Sequence, residues 1–267
     1  MKDYIIQFLA KSTTTTSGRL LLREYLQARI LEGLQEQGTF RYLAFLGGTA
    51  LRFLFQLPRF SEDLDFSTIR PDPELTLGKP AHKIQKRFEA EGYTVATKVK
   101  DGAVVSCFIR FPGLLYEVGV SPFPDEALAI KVEVDTNPPG GANTGTTLIR
   151  RHVLLNLFHY DRASLLAGKL HALLSRSYTK GRDLYDLMWY LTDPSWPEPN
   201  LEFLNNALRQ IDWKGPLLES RTWRGLVEER LRELDWATAV NDVRPFLERP
   251  SEASLLTIEN LQQLLQR

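Results

Sequence analysis

The periodicity of the chain changes near Asp161, and that change limits the folds open to it. Upstream, short strand-like runs alternate with helical ones. The clearest strand is "ALAIKVEVD" (127–135): Ile130, Val132 and Val134 point one way, Lys131, Glu133 and Asp135 the other. Downstream, five stretches with helical spacing (161–176, 181–191, 201–211, 221–234 and 251–266) follow one another with no strand between them. This order predicts an α+β domain over 1–155 and a helical domain over 156–267. With 267 residues, 43% of them hydrophobic, the chain can bury a core in each part.

Within the first part, Leu22, Leu26, Ile30 and Leu34 recur at fourfold spacing, predicting an amphipathic helix that stops near Gly38. "RYLAFL" (41–46) predicts a buried strand ending at Gly47-Gly48. "TALRFLFQL" (49–57) predicts a short helix with Thr49 at its N-terminus and Pro58 as its stop. "DLDFS" (63–67) alternates acid and apolar, as a half-buried strand does. A helix over 82–93 and strands over 94–100, 103–111 and 115–120 lead to the strand at 127–135. Residues 136–147, rich in Gly, Pro, Asn and Thr, predict a loop.

Lys and Arg total 33, as do Asp and Glu, so bulk charge does not draw the chain to nucleic acid. A local basic track remains open, with candidates at 79–87, at Arg150-Arg151 and at 175–182, where Tyr178 lies nearby for stacking. Cys107 is the one cysteine, so no internal disulfide forms. It lies in an apolar strand with no histidine close in sequence, a poor setting for a nucleophile. The opening apolar run is too short for a signal peptide, and no stretch reaches the length of a membrane span. The reading is a cytoplasmic protein with no membrane partner.

The densest chemistry sits in "FLGGTALRFLFQLPRFSEDLDFS" (45–67). Asp63 and Asp65 are two apart on a strand, so both carboxylates face one side and repel unless a cation neutralises them. A hard divalent cation with oxygen ligands does this, and Mg²⁺ commonly shares its shell with substrate phosphates. Gly47 and Gly48 let backbone approach a ligand closely, and the helix start at Thr49 offers free N–H groups to an anion. The competing reading is a turn with solvated charges. A third carboxylate is expected on a neighbouring strand: Glu133 first, Asp135 second, with a Lys131–Glu133 ion pair as the alternative role. In 161–176, Lys169 projects within the stripe of Leu165, Leu166, Leu170, Leu173 and Leu174, so its ammonium either snorkels or meets an anion, while His171 faces solvent. Asp183 and Asp186 share a flank of the next helix, where acids in a first turn also favour the helix dipole.

"FLGGTALRFLF…RFSEDLDFS", "IKVEVD", "LLAGKLHALLSR" and "KGRDLYDLMWYL", in this order, resemble the AbiEii/AbiGii-type nucleotidyltransferase toxins of the polymerase-β-like nucleotidyltransferase superfamily. The resemblance covers roughly residues 40–192. It implies a mixed-sheet nucleotidyltransferase core, a helical C-terminal lobe and an active site in the cleft between them. It implies that Gly48-Thr49 belongs to the nucleotide-phosphate loop, that Asp63 and Asp65 bind metal, and that Lys169 is an active-site lysine. One of Asp183 and Asp186 is then required for activity, and the third carboxylate is left undefined. Arg52 and Arg59, flanking the short helix, are candidates to reach phosphates, with Glu62 as an alternative partner for Arg59. The resemblance further implies an Mg²⁺ cofactor, a nucleoside triphosphate substrate and a cognate antitoxin, in a toxin–antitoxin or phage-defence pair. Some members extend the 3′ end of tRNA, which makes RNA the expected acceptor. Transfer to a protein such as the antitoxin, and a non-catalytic partner-binding module, are the rival readings.

Overall fold

A computed structural model describes residues 2–9, 15–72, 74–102 and 104–266. They divide into two compact units: Met1–Leu54, Phe60–Pro138 and Thr146–His159 form the first, and Phe55–Arg59, Pro139–Gly145 and Tyr160–Arg267 the second. The second thus gathers two short upstream segments besides the expected helical region.

The chain begins with α1 (Lys2–Leu9) and α2 (Thr15–Glu36), then β1 (Leu43–Leu46), α3 (Gly47–Phe55), β2 (Leu64–Thr68) and α4 (Gly78–Ala90). β3 (Ala96–Lys100), β4 (Val104–Pro112), α5 (Leu114–Glu117) and β5 (Ala127–Asp135) follow, and β6 (Thr144–Arg151) and β7 (Val153–Tyr160) complete a seven-stranded sheet ordered β3-β4-β5-β2-β1-β7-β6. β2 runs parallel to β5, and β1 parallel to β7, while β1–β2, β3–β4 and β4–β5 are antiparallel. The sheet is therefore mixed, as the α+β reading expects.

Two expectations are corrected here. Residues 115–120 do not form a strand: Gly113, at φ 71°, turns the chain into α5, a single helical turn. The expected loop at 136–147 ends early, because Thr144 already opens β6. The expected strand start at Ala103 lies outside the described residues.

Cross-strand register explains which face is buried. Phe45, Phe66, Val134 and Val105 occupy one row across four strands, and each is at most 2% exposed. Leu64, Val132 and Cys107 form the next row and are also buried. Leu22, Leu26, Ile30 and Leu34 of α2 are buried as their spacing predicts, and α2 and α4 pack against this sheet region. Each such side chain contributes about 1.5–3 kcal/mol by leaving water.

α2 also buries a charge. Glu24 pairs with Arg52 of α3 and with Arg151 of β6 at 2.9 Å, and His152 lies 3.8 Å away. Burial alone would push its carboxyl up; His152, Arg52 and Arg151 outweigh that and hold it at about 2.

The second unit holds α6 (Arg162–Ser175), α7 (Gly181–Thr192), α8 (Leu201–Gln210), α9 (Trp223–Arg232), α10 (Trp236–Val243) and α11 (Ile258–Leu265). Short polar side chains start four of them: Asp161, Asn200, Asp235 and Thr257 each accept from a backbone N–H three residues on. α10 is an additional helix that the spacing does not predict, and the expected helix over 251–266 opens as a 3₁₀ turn at Pro250–Leu255 before α11. At Gly181 the first turn of α7 meets the backbone of α10 so closely that an added Cβ would overlap the Ala239 carbonyl oxygen. Only glycine fits there.

Candidate active site

In the first unit the site grows from strand register. Asp65 of β2 is the direct partner of Glu133 on β5 and of Leu46 on β1. Directly paired residues face one side of a sheet, so the two carboxylates are neighbours on the face opposite the Phe45–Val105 row. Asp63 lies two residues before Asp65, just ahead of β2. Asp135 lies one step further along β5, opposite Ser67, and its Oδ1 accepts from the Asn137 N–H at 2.9 Å. Of the two candidates for a third carboxylate, Glu133 is the one in register with Asp65. Its Oε1 also meets Lys131 Nζ at 2.6 Å, so the alternative ion pair is present too.

Gly47 and Thr49 position this edge. The helix α3 begins at Gly47, so Thr49 is its third residue and not its start. Thr49 is buried, and its hydroxyl donates to the Asp63 carbonyl, fixing the backbone from which β2 leaves. Gly47 sits at φ 79°, and a Cβ there would overlap Asp65 Oδ2. Backbone conformation and space both require glycine. The result is a carboxylate lying directly over the first turn of a helix.

Among the described residues, no three His, Cys, Asp or Glu side chains converge closely enough to enclose a metal ion. The donors at this edge are all carboxylate oxygens, and Gly47 keeps the space beside Asp65 clear of a side chain. That donor set fits a hard cation that completes its shell with water and phosphate.

The second unit carries a separate cluster. Lys169 of α6 reaches both aspartates of α7: Asp183 Oδ1 at 3.0 Å and Asp186 Oδ2 at 2.7 Å. The ammonium set in an apolar stripe therefore meets anions of the next helix. Asp183 also binds Arg176. Asp186 takes a bidentate pair of bonds from Arg59 Nε and Nη2, both at 2.6 Å. Burial would push the Asp186 carboxyl up, but the Arg59 and Lys169 charges hold it below the usual carboxylate range. The two aspartates differ in access. Asp186 is enclosed, whereas Asp183 lines a small pocket with Arg176, Tyr178, Thr179 and Lys180.

Arg52, inside α3, and Arg59, beyond it, are thus engaged. Arg52 is buried against Glu24 with its guanidinium over Phe60, and Arg59 is on Asp186. Glu62 pairs with Arg23 at 2.8 Å and not with Arg59. Nothing local in the sequence signals Glu24 or the Arg59–Asp186 pair, which joins residues 127 apart. His171 is only partly exposed: its Nε2 is buried without a hydrogen-bond partner, and burial lowers its pKa. Some cations of the expected basic segments are neutralised from within. Lys86 pairs with Glu89, Arg87 with Glu32 and Glu36, Arg151 with Glu24 and Arg176 with Asp183.

A family model described as the nucleotidyl transferase AbiEii toxin of type IV toxin–antitoxin systems matches residues 29–267. The chain belongs to the AbiEii family. It is a nucleotidyltransferase toxin, and the match runs past the motif region at 40–192 to include the helical tail. No curated protein sequence matches it. Among solved structures it is similar to MenT4, a nucleotidyltransferase toxin of Mycobacterium tuberculosis, at 17% identity and TM-score 0.55 over 99% of each chain. It is also similar to JHP933 of Helicobacter pylori, at 19% identity and TM-score 0.54 over 92% of this chain and 90% of that one. These likenesses speak for the fold. Together they support an α+β nucleotidyltransferase architecture for this AbiEii chain.

Gly47→Ala tests the close approach in this AbiEii toxin. The added methyl displaces Asp65 and strains a left-handed backbone, so transfer should fall about a hundredfold, the loss expected from misplacing a reacting group by about 1 Å. Steady-state rates measured beside a melting curve check this, because the fold should persist while the rate falls.

Proposed function

We propose that this AbiEii toxin transfers a nucleotide from a magnesium-bound nucleoside triphosphate to the 3′ hydroxyl of an RNA, of which tRNA is the leading candidate. A cognate antitoxin counteracts it in the cytoplasm, where both substrates are made, and the pair serves in phage defence. The observation that carries the reading is Asp65 in register with Glu133, beside a glycine that leaves its carboxylate room.

Magnesium held by Asp63 and Asp65, with Glu133 as a third ligand, would neutralise triphosphate charge and make the acceptor hydroxyl more acidic. The backbone of Gly47, Gly48 and Thr49 turns its free N–H groups toward the phosphates. Thr49 keeps Asp63 in place through its carbonyl. In the second unit, Lys169 supplies positive charge for the leaving pyrophosphate, a preorganised cation of the kind such transfers use. Asp186 positions Lys169, and Asp183, at its pocket, is the aspartate of the last motif that meets substrate. In the transfer, the acceptor oxygen bonds to the α-phosphorus, the bond to the bridging β-oxygen breaks, and pyrophosphate leaves. The hydroxyl proton passes to solvent.

Purified protein with Mg²⁺, labelled nucleoside triphosphates and total RNA should place label on RNA, and chelating the metal should stop it. Label appearing only on protein acceptors would overturn the RNA reading. Absence of transfer to either class would overturn transfer itself.

A further inference from the structure

We propose that the open face of β3, β4 and β5 is the platform on which single-stranded RNA lies as its 3′ end approaches Asp65. This deepens the transfer reading above and rests on it for the identity of the acceptor.

The face is set by register. Lys98, Phe108 and Lys131 form one row across the three strands. Lys100, Ser106, Glu133 and Asp65 form the next, and Arg110 lies between Ala96 and Ala129 on the other side of the first. Four cations therefore surround one aromatic ring on one face. The alternating side chains of β4, Val105, Cys107 and Ile109, are at most 2% exposed and belong to the core. By contrast Lys98, Lys100 and Arg110 are exposed, Phe108 and Lys131 are half-buried, and Ser106 is buried between its neighbours.

The charge is unspent. Many of the chain's arginines sit in ion pairs, whereas Lys98, Lys100 and Arg110 enter none among the described residues. Arg110 stands 5.9 Å from the Phe108 centroid, and Lys131, which pairs with Glu133, stands 5.7 Å from it. The three unpaired cations, Lys98, Lys100 and Arg110, repel one another, and a polyanion relieves that repulsion with release of counterions. A half-buried ring between cations offers part of its surface for the stacking that single-stranded RNA uses on sheets. An acidic protein would satisfy the charge but leave the ring without a matching partner. The row from Lys100 to Asp65 crosses three strand spacings, about 14 Å, so a strand held on the lysines lies within one or two nucleotides of the carboxylates.

Binding of a labelled single-stranded RNA oligonucleotide, followed by fluorescence anisotropy with no nucleotide or metal present, tests this on the whole protein. Lys98→Glu, Lys100→Glu and Arg110→Glu together should weaken binding at least about thirtyfold and flatten the log–log salt dependence by about 2. Phe108→Ala should weaken it about tenfold. An equal charge reversal on α4, Lys79→Glu, Lys83→Glu and Lys86→Glu, should leave binding within about threefold, and triphosphate binding should be unchanged in every variant. Wild-type affinity in the sheet variant, an equal loss in the α4 variant, or no RNA binding by the wild type would each overturn the platform. The two readings separate cleanly. RNA binding that depends on this face without turnover leaves the platform and removes the transfer reading. Turnover with an unchanged RNA KM in the sheet variant does the reverse.

Discussion

An Asp65→Asn enzyme is expected to transfer nucleotide at least about a thousandfold more slowly than the wild type, the loss of several kcal/mol of charge stabilisation at the reacting phosphates. The exchange keeps the size of the side chain and the cross-strand pairing with Glu133, so register and core are untouched. What it removes is one negative oxygen beside Glu133, its partner in register. The substitution is isosteric, so the variant should melt within a few degrees of the wild type. Initial rates of label transfer and melting curves on the same preparations measure both effects. A rate within tenfold of the wild type would remove Asp65 from the reacting centre.

The second large effect concerns stability. Asp186→Ala should lower the unfolding free energy of the protein by about 3–5 kcal/mol, the usual consequence of stranding a buried charge. Arg59, only 2% exposed, loses its two bonds to Asp186, and Lys169 loses its 2.7 Å contact with the same carboxylate. Asp183→Ala should cost less, about 1–2 kcal/mol, because Arg176 is 30% exposed and can turn to water. Lys169→Met leaves Asp186 on Arg59 and Asp183 on Arg176, so it should fold and yet lose transfer. Denaturant melts separate the three, and rates on the folded variants show whether Lys169 and Asp183 act in chemistry while Asp186 positions them.

How much of this could be read beforehand follows from the range of each interaction. β5 matched residue for residue because its alternation is uninterrupted over nine residues. α2 was legible from Leu22, Leu26, Ile30 and Leu34, which repeat with the helical period. β6 and β7 escaped notice: β6 is Thr-rich and mostly exposed, and in β7 the apolar Leu154 and Phe158 lie on the side opposite the buried Leu155 and Leu157, which blurs the alternation. At 115–120, "LYEVGV" carries β-branched residues, but the left-handed glycine before it sets a helical turn. The chemistry divides the same way. Asp63, Asp65 and Glu133 stood out because two-residue spacing fixes a face, and Lys169 because a cation broke an apolar stripe. The partners of Arg52 and Arg59 depend on helices far along the chain, and no local spacing encodes them.

The short excursion at Phe55–Arg59, which belongs to the helical unit, also bears on how this protein can be dissected. Any fragment ending before Tyr160 would carry Arg59 without Asp186, removing a buried bidentate ion pair four residues ahead of Asp63. An inert fragment of that kind would not be a fair trial of the sheet by itself. Split-protein reporters, deletion series and partner mapping in this toxin should keep Phe55–Arg59 together with the whole of 160–267.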